Sequence, residues 1–117
     1  MAGQPAAPPT PLPDDRSEQE RAALEAQWRA IASQRRDAAA KAEALVSALD
    51  ARLAALRSDL SPINLGDPNR EQRRQAEIAG AMVELDAAQA ALDLARTAVD
   101  DLEDDVRRAG GLPGWVR

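Results

Sequence analysis

The side chains of this chain that could do chemistry are nearly all carboxylates and guanidiniums. It has no His and no Cys, so it lacks a thiol nucleophile, a thiolate metal site and the side chain that titrates nearest neutrality. Two charge clusters stand out: an acidic run, Asp100, Asp101, Glu103, Asp104 and Asp105, and a basic group, Arg70, Arg73 and Arg74. Clustered carboxylates can chelate a hard divalent cation, but this run has neither the central glycine nor the ligand order of an EF-hand loop. It reads instead as a solvated face offset by Arg21, Arg29, Arg107 and Arg108, or as a docking site for a basic partner. Three arginines could meet phosphate. Without interleaved aromatics, on a chain of net charge -5, they are a weak nucleic-acid signal. Gly110, Gly111 and Gly114 follow a helical segment rather than precede one, so they do not form a phosphate-cradling loop. No residue is assigned a catalytic, cofactor or metal-binding role, and the expectation is a protein that is not an enzyme.

The elements that carry these charges are helices. Over Ile78 to Ala109, Ile78, Leu85, Leu92, Val99 and Val106 recur every seven residues, with Ala81, Ala88, Ala95, Leu102 and Ala109 three residues after each. That alternating three-and-four spacing is a coiled-coil seam. Composition agrees: the 44% hydrophobic fraction is largely alanine, and Trp28 and Trp115 are the only aromatics. Alanine favours helices and lets two backbones come close, but it cannot fill the interior of a globule. No apolar stretch approaches the ~18 residues of a membrane span, and Met1 is not followed by the basic and apolar segments of a secretory signal. The expected location is the cytoplasm, with signal-less secretion left open.

In chain order, residues 1–13 hold five prolines and no charge, which predicts a flexible tail. Asp14, Asp15 or Ser17 can cap a first helix of residues 14–60, about 70 Å long at ~1.5 Å per residue. Its apolar positions are Leu24, Trp28, Ile31, Ala38, Ala42, Leu45, Val46, Leu49, Leu53, Leu56 and Leu60. The spacing slips by one near Leu45 and Val46, which predicts a stutter there. The turn, residues 61–67, contains Pro62, which ends the first helix, with Ile63 and Leu65 placed to plug the seam. Asp67 and Pro68 suit the N-cap and first position of a second helix, residues 68–109, which ends at Gly110 and Gly111, where glycine suits a left-handed C-cap with Leu112 as its apolar contact. Residues 110–117 form a C-terminal tail. A connection this short forces the two helices to run antiparallel.

If the chain folds back near residue 65, opposed residues have numbers adding to about 130. Leu24 then meets Val106, Trp28 meets Leu102, Ala42 meets Ala88 and Leu49 meets Ala81, every pair apolar. Arg35 falls opposite Ala95 and is the irregularity of the seam. Either its stem lies over the seam while the guanidinium reaches water or a carboxylate, or it fixes register or oligomeric state. Under the first reading Arg35→Leu raises stability.

The expected fold is all-α, two long helices forming an antiparallel coiled-coil hairpin, with dimerisation into a four-helix bundle as the further expectation. A second, weaker stripe supports that step: Ala76, Val83, Ala87, Ala90, Leu94 and Ala98 on the second helix, with alanines on the first. Met82, Val83 and Leu94 are the candidate partner-binding residues. Leu112 and Trp115 either close the hairpin over Leu24 or present a docking peptide. The expected function is protein–protein interaction, as scaffold, adaptor or assembly subunit, through a protein partner or a second copy. Nucleic-acid contact through the arginine-bearing tip is one alternative, and a dedicated chaperone or inhibitor of one protein is the other.

Overall fold

The structure, a computed structural model, describes residues 13–58 and 66–117, with side chains from Ser17 onward. The proline-rich tail and the turn residues Leu60, Pro62, Ile63 and Leu65 lie outside the described residues. Among the described residues every regular element is helical: α1 is Pro13–Ser58, α2 is Arg70–Asp100 and α3 is Leu102–Arg108, followed by a short 3-10 helix, Pro113–Val116. No helix is long and apolar enough to cross a membrane among these residues.

The chain divides into two compact units, one of residues 33–101 and one formed by the chain up to Ala32 together with Leu102–Arg117. In the first, the later part of α1 packs antiparallel on α2 as a coiled-coil hairpin. Ala81, Ala88 and Leu92 are buried along α2 and Leu49 and Leu53 along α1, with Ile78, Leu85, Ala95 and Val99 half-buried between them. Alanine at two of the three most buried α2 positions is what allows close backbones, since a larger residue there would push the helices apart. Across the seam, Arg74 bonds Leu56, Arg35 bonds Ala98 and Arg52 pairs with Glu84. These residue numbers add to about 130 to 136, so the register follows the expected one.

The seam of α1 differs in detail. Counting back from Leu56, the inward positions are Leu53, Leu49, Val46, Ala42, Ala39 and Arg35, then Ala32 and Trp28, an unbroken alternation of three and four. Ala38 and Leu45 point outward, and Leu45 is 52% exposed. There is no stutter at Leu45 and Val46; the apparent slip arises because either of two adjacent apolar residues can satisfy a heptad count. Val46 takes the seam because Ala39 and Ala42 before it hold the same phase.

α2 starts two residues later than expected and stops nine earlier. The N-cap is Asn69, which makes no side-chain cap bond, and not Asp67 as expected. Asp67 lies two residues earlier, where its carboxylate accepts the Asn69 N–H at 2.9 Å and its carbonyl accepts the Arg70 N–H at 3.2 Å, so Asp67, Pro68 and Asn69 form a turn ahead of the helix. At the other end, Asp101 separates α2 from α3, donating its N–H to the Thr97 carbonyl at 2.9 Å. Two things weaken the helix at this point. The Thr97 hydroxyl bonds back to the Asp93 carbonyl at 2.9 Å, which bends helices, and Asp100 and Asp101 place negative charge against the helix dipole.

In the second unit Leu102, Val106, Trp115 and Val116 are buried, with Leu24, Trp28 and Ile31 half-buried. α3 ends in a Schellman motif: Gly111 donates to Val106 O at 2.8 Å and Gly110 to Arg107 O at 3.0 Å. Gly110 has φ 84, which is why glycine stands there. Ala109, expected as the last seam residue, is exposed because the chain turns away at that cap. Gly111 has a different reason: a Cβ would lie 2.7 Å from both Trp115 Cζ3 and Val106 Cγ2. The C-terminal tail thus packs directly on α3.

Candidate interaction surfaces

The candidate partner-binding residues separate by exposure. Along α2, a rotation of about 100° per residue places Val83 and Leu94 on the side away from Ala81, Ala88 and Leu92. They are 70% and 74% exposed, while Met82, on the flank, is 45% exposed and receives an Arg57 Nη2 contact to Sδ at 3.7 Å. Leu112, expected as the apolar contact at the C-cap, is 47% exposed. Trp115 is only 8% exposed, and its ring edge and Val106 both lie against Gly111. Within this chain Trp115 is a core residue, and of the tail's two candidates only Leu112 faces outward.

Arg35 makes a bond across the hairpin that neither reading of the seam foresaw. Its Nη1 donates to the Ala98 carbonyl at 2.8 Å in a half-buried setting. Ala98 lies in the last turn of α2, where carbonyls are short of helical partners and the dipole favours a cation. This bond was invisible to spacing arguments, which place Arg35 opposite Ala95, one turn away.

The basic group is brought together beside a cleft of about 200 Å³ lined by Leu56, Arg70, Arg73, Arg74 and Glu77. Its charge is largely spent inside the protein. Arg73 is ion-paired with Asp67. Arg74 pairs with Glu71 at 3.0 Å and also donates to the Leu56 carbonyl at 3.4 Å, near the end of α1. Hydrogen bonds from Gln75 and then Arg74 hold the Glu71 carboxyl below its ordinary value.

The last three carboxylates of the acidic run are likewise paired. Glu103 meets Arg117 at 3.1 Å and Arg107 at 3.8 Å, Asp104 meets Arg107 at 3.3 Å, and Asp105 meets Arg108 at 3.8 Å. Arg29, expected to neutralise the run, is paired instead with Glu25 at 2.7 Å one turn before it. Local spacing wins here, because a partner four residues away on the same helix costs less chain ordering than one on another helix. Among the described residues no group of three acidic side chains is arranged to hold a metal ion. The larger open groove, about 450 Å³, runs along one side of the hairpin between Glu43, Val46 and Ser47 and Gln89, Leu92, Asp93 and Arg96. Its rim is charged on both helices.

No protein-family model, no curated protein and no solved structure matches this chain.

Proposed function

We propose that this protein is a non-enzymatic coiled-coil interaction module, acting as a scaffold, adaptor or assembly subunit, that binds protein through its outer helical faces. The observation that carries the reading is the exposure of Val83 and Leu94, 70% and 74%, on the side of α2 that the hairpin's own seam does not use. Large apolar side chains kept in water on a helix whose other side is already satisfied are what a partner surface requires. The charged groups fit this reading, since Arg73, Arg74 and the carboxylates from Glu103 to Asp105 have intramolecular ion pairs. The test is co-purification from cells with tagged wild type and the Val83→Glu, Leu94→Glu double variant. A protein retained by the first and lost by the second is the expected result, whether it is another chain or an untagged copy of this one. Equal retention by both refutes the assignment of these faces.

A further inference from the structure

Val83 and Leu94 do not stand alone on α2. A rotation of about 100° per residue puts Ala76, Ala79, Gly80, Ala87, Ala90 and Thr97 on the same outer side, all of them exposed. The strip they form is uncharged for about 32 Å, from Ala76 to Thr97 at ~1.5 Å per residue. Its borders are not. Asp86, Asp93 and Asp100 follow one border and Glu77 and Glu84 the other, all exposed. Between Gln75 and Asp101 the only base of α2 is Arg96, and it lines the groove beside the seam instead. The other bases around the strip are already engaged. Arg52 pairs with Glu84 at 3.8 Å, Arg57 reaches Met82 Sδ, and Arg73, on the same side just before Ala76, is ion-paired with Asp67. Glu77, Asp86, Asp93 and Asp100 have no ion pair among the described residues.

Resting on the interaction-module reading, we propose that this strip is the docking site of a basic amphipathic helix of another protein. The apolar stripe of that helix lies over Val83 and Leu94, and its Lys or Arg residues run along both margins to meet the carboxylates. Shape selects a helix. The small residues around Val83 and Leu94 leave hollows of the kind into which the side chains of a second helix insert, whereas α2 has no free backbone edge to which a strand could be added. Charge selects a basic one, since both borders of the apolar strip carry the same sign. A second copy of this chain does not match. α2 laid on α2 would oppose carboxylate to carboxylate, and α1 carries both signs side by side, with Arg36 beside Asp37 and with Glu43 and Asp50 between Lys41 and Arg57. Nucleic acid would be repelled.

Synthetic peptides of about 21 residues, long enough to span the strip, serve as probes of the full chain in calorimetric titration. One has leucine at heptad seam positions and lysine at the flanking ones, one has glutamate in place of lysine, and one is the lysine peptide scrambled. The lysine peptide should bind at least about tenfold more tightly than either of the others. Glu84→Lys, Asp86→Lys and Asp93→Lys together should reverse the preference toward the glutamate peptide, with helicity by circular dichroism unchanged. Val83→Glu with Leu94→Glu should abolish binding of the lysine peptide although it adds negative charge, a change that a purely ionic attraction would survive. No binding of the lysine peptide at about 1 mM, or binding indifferent to either variant, overturns the basic helix. So does a wild-type particle of twice the 12.5 kDa chain mass in light scattering that Val83→Glu with Leu94→Glu reduces to a single chain, because a second copy then holds the strip. The interaction reading is judged apart from this. An acidic protein retained in the co-purification above and lost by the double variant overturns the basic helix and leaves that reading intact, whereas equal retention there removes the face for any partner.

Discussion

The packing of the C-terminal tail rests on one missing methyl group, and Gly111→Ala tests it. Its Cβ would stand 2.7 Å from Trp115 Cζ3 and equally close to Val106 Cγ2, well inside van der Waals contact. Val106 is fully buried in a helix, so the 3-10 helix carrying Trp115 and Val116 is the part able to yield. The upper bound on the cost is set by undocking: giving up burial of both Trp115 and Val116, at ~1.5–3 kcal/mol each, comes to ~3–6 kcal/mol. Overpacking without undocking costs less, ~1–3 kcal/mol. A melting temperature lower by several degrees follows, at ~4–8 °C per kcal/mol for a domain of this size. In a Trp28→Phe background Trp115 is the sole fluorophore, and its emission maximum should shift to the red in Gly111→Ala if the tail is displaced. Gly110→Ala is the control. It costs ~1–2 kcal/mol through the left-handed backbone, yet leaves Trp115 emission nearly unchanged because no side chain faces Gly110. An unshifted melting curve and spectrum in Gly111→Ala would refute the claim that the tail packs on α3 as described.

Two further outcomes follow from polar contacts. Arg35→Leu should lower stability by about 1–2 kcal/mol in chemical denaturation, the reverse of the sign expected from spacing alone, because it removes a charge-assisted bond to the half-buried Ala98 carbonyl; a more stable variant would show that seam burial outweighs that bond. The Glu71 carboxyl, held below its ordinary value of 4.5 by Gln75 and then Arg74, contributes stability at pH above that value and loses it as pH falls through its lowered pKa. Carboxyl NMR titration should therefore place Glu71 below the other exposed glutamates, and Gln75→Ala should bring it back up; an unmoved Glu71 resonance midpoint in Gln75→Ala would remove Gln75 as the main cause.

The hairpin and the α2 seam were legible because Ile78, Leu85, Leu92 and Val99 are large, recur every seven residues and have no apolar neighbour able to take their place. On α1 the signal was weaker for a physical reason. Ala38 and Ala39, and Leu45 and Val46, are adjacent apolar pairs, and hydrophobicity cannot say which member faces in. That choice is made by the phase of the whole helix against its partner. The break at Asp101 was hidden because Thr97 and the aspartates are ordinary surface residues in a heptad count, while their effect comes from hydrogen bonding and the dipole. A glycine C-cap at Gly110 and Gly111 could be read from residue type, but that Gly110 takes the positive φ and that Gly111 leaves room for Trp115 depend on where the tail lands, and no local pattern specifies that.

Alanine holds every second seam position of α2, at Ala81, Ala88 and Ala95, so the seam is smoother than one of leucine throughout and a slide by a full heptad would change fewer of the atoms that touch. Leucine zippers resist sliding through the shape of their knobs; this hairpin has fewer of them. The guanidinium ties of Arg35 to the Ala98 carbonyl and Arg74 to the Leu56 carbonyl sit toward opposite ends of the paired segment, and both targets are main-chain atoms whose position along the helix is fixed. They work as a pair of end stops. A chain carrying Arg35→Met and Arg74→Met would keep its helices and its apolar stripe, yet should sample shifted pairings, exchange its amide hydrogens faster at both ends and lose the single alignment on which any outer surface depends.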